Sequence, residues 1–158
     1  IEVNILALTR MCHALGNAEP RVAILSAVET VTTKIPSTIE AAALCKMADR
    51  GQITGGTLDG PLAFDNAIDP EAARIKGINS PVAGHAQILV VPDLEAGNML
   101  AKNLTFMAHA DAAGIVLGAR VPVILTSRAD SVRTRLASAA VGNILAAARR
   151  AKAAVPRV

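Results

Sequence analysis

Short runs of aliphatic and β-branched residues that stop abruptly in polar ones, separated by longer stretches of helical periodicity, constrain this chain most. Arg21–Ser26, Gln87–Val91 and Val121–Leu125 are such runs. A continuous apolar run of this length reads as a strand buried on both faces. Thr57–Asp59 and Gly114–Leu117 read as further short strands. Between them Asn4–Leu15, Ser37–Arg50, Pro70–Lys76, Leu94–Ala108 and Ser131 to Ala153 carry helical patterns. Strands alternating with helices predict an α/β protein, here a three-layer α/β/α arrangement around a mostly parallel sheet. The tight spacing at Gly118–Arg120 leaves room for one antiparallel pair.

Local signals fill in this outline. Gly16 is the expected C-cap of the first helix, Ser37 with Glu40 a capping box for the second, and Asp93 an N-cap for the helix from Leu94. The expected buried stripes are Ile39, Ala43 and Met47 in the second helix, and Val132, Leu136, Ala140 and Ile144 in the last. At 158 residues and 52% hydrophobic content the chain can bury a sizeable core. Phe64 and Phe106 are its only aromatic residues. The core is therefore aliphatic, and the stacking platforms of a nucleic-acid surface are missing.

A net charge of +3 suits an anionic metabolite better than a polyanion. Arg149, Arg150, Lys152 and Arg157 read as a solvated helix end that complements the dipole. Cys12 and Cys45 lack the spacing of a disulfide framework or metal site and read as reduced core residues of a cytoplasmic protein. His13, His85 and His109 have no second ligand at useful spacing, so no metal is expected. No apolar run is long enough to span a membrane. Ile1 opens directly into a helical pattern, and the chain is expected to be part of a longer polypeptide.

The chemistry concentrates where the run Val121–Leu125 ends. Ser127, Arg128, Asp130 and Ser131 follow it and surround the start of the last helix, whose free N–H groups and dipole favour an anion such as phosphate. Arg128 offers a planar fork matched to phosphate oxygens, and Ser127 a neutral donor beside it. Asp130 has two readings, a helix N-cap or a carboxylate base. Asn98 and Lys102, four apart, share a helix face, where they are either solvated or turned to a ligand. Ser26, at the end of the first strand, and Asp65 with Asn66 are either local turn residues or ligand contacts. The glycines at 51, 55, 56 and 60 match no nucleotide-binding fingerprint and read as turn chemistry.

Four ordered segments then carry a family resemblance: Pro20–Glu29, the run Asp-Gly-Pro-Leu-Ala-Phe-Asp-Asn-Ala at 59–67, Val90–Lys102, and Thr126–Ser131. Together they resemble the phosphate acetyltransferase and phosphate butyryltransferase family, with wording closer to the butyryltransferase-like branch. The resemblance implies two α/β domains related to the isocitrate and isopropylmalate dehydrogenase fold. Residues 1–118 would be the second, inserted domain, and 119–158 the strand and helix returning to a first domain that is mostly absent. It implies transfer of an acetyl or short acyl group such as butyryl between coenzyme A and inorganic phosphate, with coenzyme A as substrate and no tightly bound cofactor.

Within that activity Ser127 and Arg128 match the active-site pair residue for residue. The family's proposed catalytic Asp falls at Thr134, which leaves Asp130 as the candidate base by chemistry alone. Asn98 and Lys102 match a family motif, and with Ser131, Ser26 and Asp65 they are the expected substrate-binding residues. A cytoplasmic homodimer is implied, with a possible fusion to an upstream domain. The alternative is a catalytically silent, acetyl-CoA-responsive regulatory or assembly domain such as that fused to some malic enzymes.

Overall fold

A computed structural model describes residues 1–153. Of the predicted basic helix end, Arg157 and the side chain of Lys152 lie outside the described residues. The elements run α1 Glu2–Ala14, β1 Arg21–Leu25, α2 Pro36–Asp49, β2 Thr57–Leu62, α3 Phe64–Ile68, α4 Pro70–Ile75, β3 Ile88–Val90, α5 Leu94–Phe106, β4 Ile115–Val116, β5 Val123–Ile124 and α6 Val132–Ala153.

β1 is the central strand of a parallel sheet of order β2-β1-β3, with Val22 opposite Leu58 on one side and Ile88 on the other. Successive side chains of a strand point to opposite faces. Val22 and Ile24 accordingly enter a layer with Ile5, Ala41, Leu44 and Ile53, while Ala23 and Leu25 enter the opposite one with Ala67, Ala73 and Val82. Helices α1 and α2 cover the first face and α3 and α4 the second, giving the expected three layers. A Cβ at Gly60 would stand 2.7 Å from the Ile24 carbonyl oxygen and 2.8 Å from its Cβ, so only glycine lets β2 approach β1 there.

The capping box of α2 does not form. Pro36 opens this helix behind the extended Ile35, and a proline at the first position has its φ preset and no N–H to satisfy. The Ser37 hydroxyl instead lies 2.8 Å from that of Ser26, and the buried Thr38 hydroxyl donates to the Ile35 carbonyl. The buried face is Thr38, Ala41 and Leu44, leaving the expected core residue Ile39 43% exposed.

The larger departures lie past residue 91. β4 and β5 form a separate antiparallel ribbon, so the run at Val121–Leu125 does not join the parallel sheet. Val123 and Ile124, expected to be buried on both faces, are exposed. Helix α6 packs on α1 and the ribbon, and it is out of phase with the predicted stripe. Ser138 and Leu145 are buried while Val132, Leu136 and Ile144 face outward.

A polar knot sets that phase. The buried Ser138 Oγ accepts from the Gly114 N–H (2.9 Å) and donates to the Thr134 carbonyl (2.7 Å). Gly114 must be glycine, since a Cβ there would meet the Leu125 carbonyl oxygen at 2.3 Å. Arg149 is also not simply solvated, because its guanidinium donates to the Ala119 carbonyl at 2.8 Å. Helix α5 is capped as predicted, the Asp93 carboxylate accepting the Ala96 N–H at 2.7 Å. It buries none of its residues. Among the described residues no helix is long and apolar enough to cross a membrane.

Candidate active site

Asn98, Lys102 and Thr105 of α5, with Ala101, make one face of the helix. That face forms one wall of an open cleft of about 500 Å³. The opposite wall is Leu125, Thr126 and Ser127 at the end of β5, then Asp130 and Thr134, with Ala112, Ala113 and Gly114 between the walls. Four predicted residues thus meet: Asn98 and Lys102 on one side, Ser127 and Asp130 on the other.

The segment from 127 to 134 is folded by its own hydrogen bonds. The Ser127 N–H donates to Asp130 Oδ2 at 2.6 Å, and the Asp130 N–H returns to the Ser127 carbonyl at 3.1 Å. Asp130 is therefore not the cap of α6. That role falls to Ser131, whose Oγ accepts the Thr134 N–H at 3.1 Å and lies 3.1 Å from the Thr134 hydroxyl. An N-cap bonds two or three residues ahead, and Asp130, one residue too early, closes the preceding turn instead. The Ser131 hydroxyl serves the cap and is not among the lining residues of the cleft, which Thr134 faces.

Arg128 is exposed and follows the lining residue Ser127. Among the described residues it has neither a salt bridge nor a hydrogen bond from its guanidinium. Two cations, Lys102 and Arg128, and the first turn of α6 therefore bring positive potential to one region, with a single carboxylate, Asp130, in the lining.

Ser26 and Asp65 are not among the lining residues. Ser26 is buried against Ser37. Asp65 bonds the Lys76 ammonium at 3.0 Å, and Lys76 also approaches Glu29 at 3.5 Å. The hydrogen bond from Lys76 holds the Asp65 carboxyl below its ordinary range and raises the Lys76 ammonium. Beneath them the buried Asn66 donates to Glu29 Oε2 at 3.2 Å. These groups clamp the loop after β1 to α3 and α4.

Thr105, Thr126 and the turn 112–114 were missed by sequence reasoning. For Thr105 the signal was present, since it continues the spacing that begins at Asn98. The others reach the cleft through the β4–β5 ribbon, whose separation from the main sheet the apolar pattern does not encode.

Residues 2–142 match the model of the family described as "Phosphate acetyl/butaryl transferase". The chain belongs to that family. It is 86% identical over 138 residues to the phosphate acetyltransferase of Rhizobium meliloti, covering 87% of this chain and 44% of that relative. To the phosphate butyryltransferase of Clostridium beijerinckii it is 49% identical over 137 residues, covering 87% and 45%. Among solved structures it matches a branched-chain phosphotransacylase from Enterococcus faecalis with a TM-score of 0.80 and 34% identity, covering 92% of this chain and 53% of that one. As a family member the chain spans about half the length of the curated relatives it matches.

Proposed function

We propose that this chain supplies one face of a phosphate acyltransferase that moves an acetyl group between coenzyme A and inorganic phosphate. The observation that carries this reading is the cleft itself, where the α5 face with Asn98 and Lys102 meets Ser127, Asp130 and Thr134. Asn98 and Lys102 belong to one family motif, Ser127 and Asp130 to another, and the second leads into a helix N-terminus suited to phosphate. The 86% identity to a relative named phosphate acetyltransferase supports acetyl over butyryl as the group transferred.

In the proposed reaction Arg128, Lys102 and Ser127 hold the phosphate of the acyl phosphate. Asp130 takes the proton from the coenzyme A thiol. The thiolate attacks the acyl carbon, a C–S bond forms, the C–O bond to phosphate breaks, and the cations stabilise the charge left on the departing phosphate. No tightly bound cofactor takes part. Residues 1–118 serve as the inserted domain, and 119–158 return to another domain of a longer polypeptide. The outward apolar faces of β5 and α6 support that placement. The whole enzyme works as a cytoplasmic homodimer.

The test is a chimera in which this chain replaces the matching segment of the Rhizobium meliloti phosphate acetyltransferase. Acetyl-phosphate-dependent acetyl-CoA formation at a rate near the parent's is expected. A folded chimera that binds coenzyme A and transfers nothing would overturn the catalytic reading in favour of a regulatory one.

A further inference from the structure

Charge develops at three atoms in the proposed transfer: the attacking sulphur, the departing phosphate oxygen and the oxygen of the acyl carbonyl. Asp130 serves the first, and Arg128, Lys102 and Ser127 the second. The third needs a fixed donor as well, because a carbonyl oxygen under attack gathers negative charge before the leaving group goes. Backbone donors along the cleft are largely spent. The Gly114 N–H goes to Ser138 Oγ and the Ser127 N–H to Asp130 Oδ2, while those of Leu125, Asp130 and Thr134 go to Gly114, Ser127 and Ser131. A side chain has to supply the donor.

Thr105 gives its hydroxyl proton to the Ala101 carbonyl at 2.8 Å. Thr134 is held differently. It lines the cleft on the same wall as Asp130, four residues further on. Its backbone is tied at both ends, the N–H to Ser131 Oγ at 3.1 Å and the carbonyl to Ser138 Oγ at 2.7 Å. Its own Oγ1 lies 3.1 Å from Ser131 Oγ. The Ser131 oxygen already accepts the Thr134 N–H, and its single proton is free to go to Thr134 Oγ1, which releases the Thr134 proton to the cleft. Two hydroxyls in series polarise one another and strengthen the terminal donor.

We infer that the Thr134 hydroxyl donates to the acyl carbonyl oxygen as the thiolate attacks, with Ser131 the positioning residue behind it. The inference rests on the proposed function and deepens it. As the C–S bond forms, the carbonyl oxygen takes the negative charge and holds it against Thr134. The charge returns to carbon as the C–O bond breaks and phosphate leaves. Thr134 stays neutral throughout, and no proton passes to the oxygen.

The experiment uses the chimera and follows acetyl-CoA formation between about pH 7 and 9, a range that spans ionisation of a thiol with pKa near 8.5. Thr134→Val keeps the shape and the N–H bond to Ser131 but removes the donor. Its kcat should fall roughly a hundred- to a thousandfold. For acetyl phosphate kcat/KM should fall by the same factor, as for a contact made only in the transition state. The deficit should stay flat with pH, because a neutral hydroxyl does not titrate in this range. Thr134→Ala should behave alike, so that the result does not hang on how valine packs, and Thr134→Ser should recover most of the rate. Ser131→Ala should also lower kcat, and adding it to Thr134→Val should lower kcat no further, since Ser131 acts only through Thr134.

Turnover of Thr134→Val near that of the unsubstituted chimera overturns this inference and leaves the proposed function standing. So does a deficit that shrinks as pH rises, which puts Thr134 on the thiol, or a Thr134→Ser variant as slow as Thr134→Val, which gives the position a packing role. Losses that multiply in the double variant overturn the part given to Ser131. A chimera that folds and binds coenzyme A but transfers nothing before any substitution overturns the proposed function, and this inference with it.

Discussion

The body of the molecule, residues 1–91, and the arm that follows it solve different problems with the same aliphatic alphabet. In the body, strands and helices close over two apolar layers. In the arm Leu145 is the one buried apolar side chain beyond Ile88 among the described residues, and the deepest polar group is Ser138. The cleft residues all belong to the arm. A region that commits few side chains to packing keeps its polar groups free for a ligand, and the stability of this fold rests on a region outside the cleft.

The sharpest way to break the contrast is a core truncation set against an arm truncation. Leu62→Ala, at a site 2% exposed, should cost about 2–5 kcal/mol through lost burial and the cavity left behind, measured by urea denaturation. Next comes Arg128→Lys in the chimera. A point charge cannot reproduce a planar fork, and turnover should fall roughly a hundred- to a thousandfold while the urea midpoint stays put. Near-parental turnover would remove Arg128 from the site.

Asp130→Asn tests the carboxylate by pH. The amide oxygen can still accept the Ser127 N–H, so the turn survives, but the base is lost, and turnover near pH 7 should drop on the order of a hundredfold. A thiol with pKa near 8.5 ionises unaided as pH rises. The deficit should therefore shrink towards pH 9, and a deficit flat across that range would leave Asp130 with the turn alone.

Much of the body was legible because its signals are local and repeat. The strand Arg21–Leu25 and the helix Pro70–Ile75 follow from residue type and spacing, as does the cap at Asp93 where the arm begins. At Ile39 and along Val132–Ile144 the same reasoning misjudged which face is covered. An apolar stripe says that a helix is amphipathic, but its phase in the arm was decided by a hydroxyl, Ser138, and by the glycine at 114 that admits the ribbon. The lining of the cleft was legible as a set of residue types, Asn98, Lys102, Ser127 and Asp130, and its division between two walls was not. Nothing in the local pattern of Ser26 announces that Ser37 will take its hydroxyl.

Two smaller effects sharpen the comparison. Burial, with Asp59 and Asp49 nearby, pushes the Cys45 thiol up to about 12, so at pH 8 roughly one part in ten thousand is thiolate. Native protein should label there with a thiol reagent far more slowly than a cysteine placed on the arm by Ala140→Cys. Equal rates would mean that the body opens as readily as the arm. Smallest of all, Leu136→Ala in the 158-residue chain should change stability by no more than about 0.5 kcal/mol, since that side chain is 66% exposed.

The knot at Ser138 has a mechanical consequence. By joining Gly114 to Thr134 it couples the turn 112–114, the ribbon and the start of α6 into one stiff piece, which carries every cleft residue outside α5. Helix α5, anchored at its capped end, is the other jaw. Because α5 is itself held to the body through its cap and through Leu100, Ser138→Ala should loosen the wall opposite α5 and leave α5 in place.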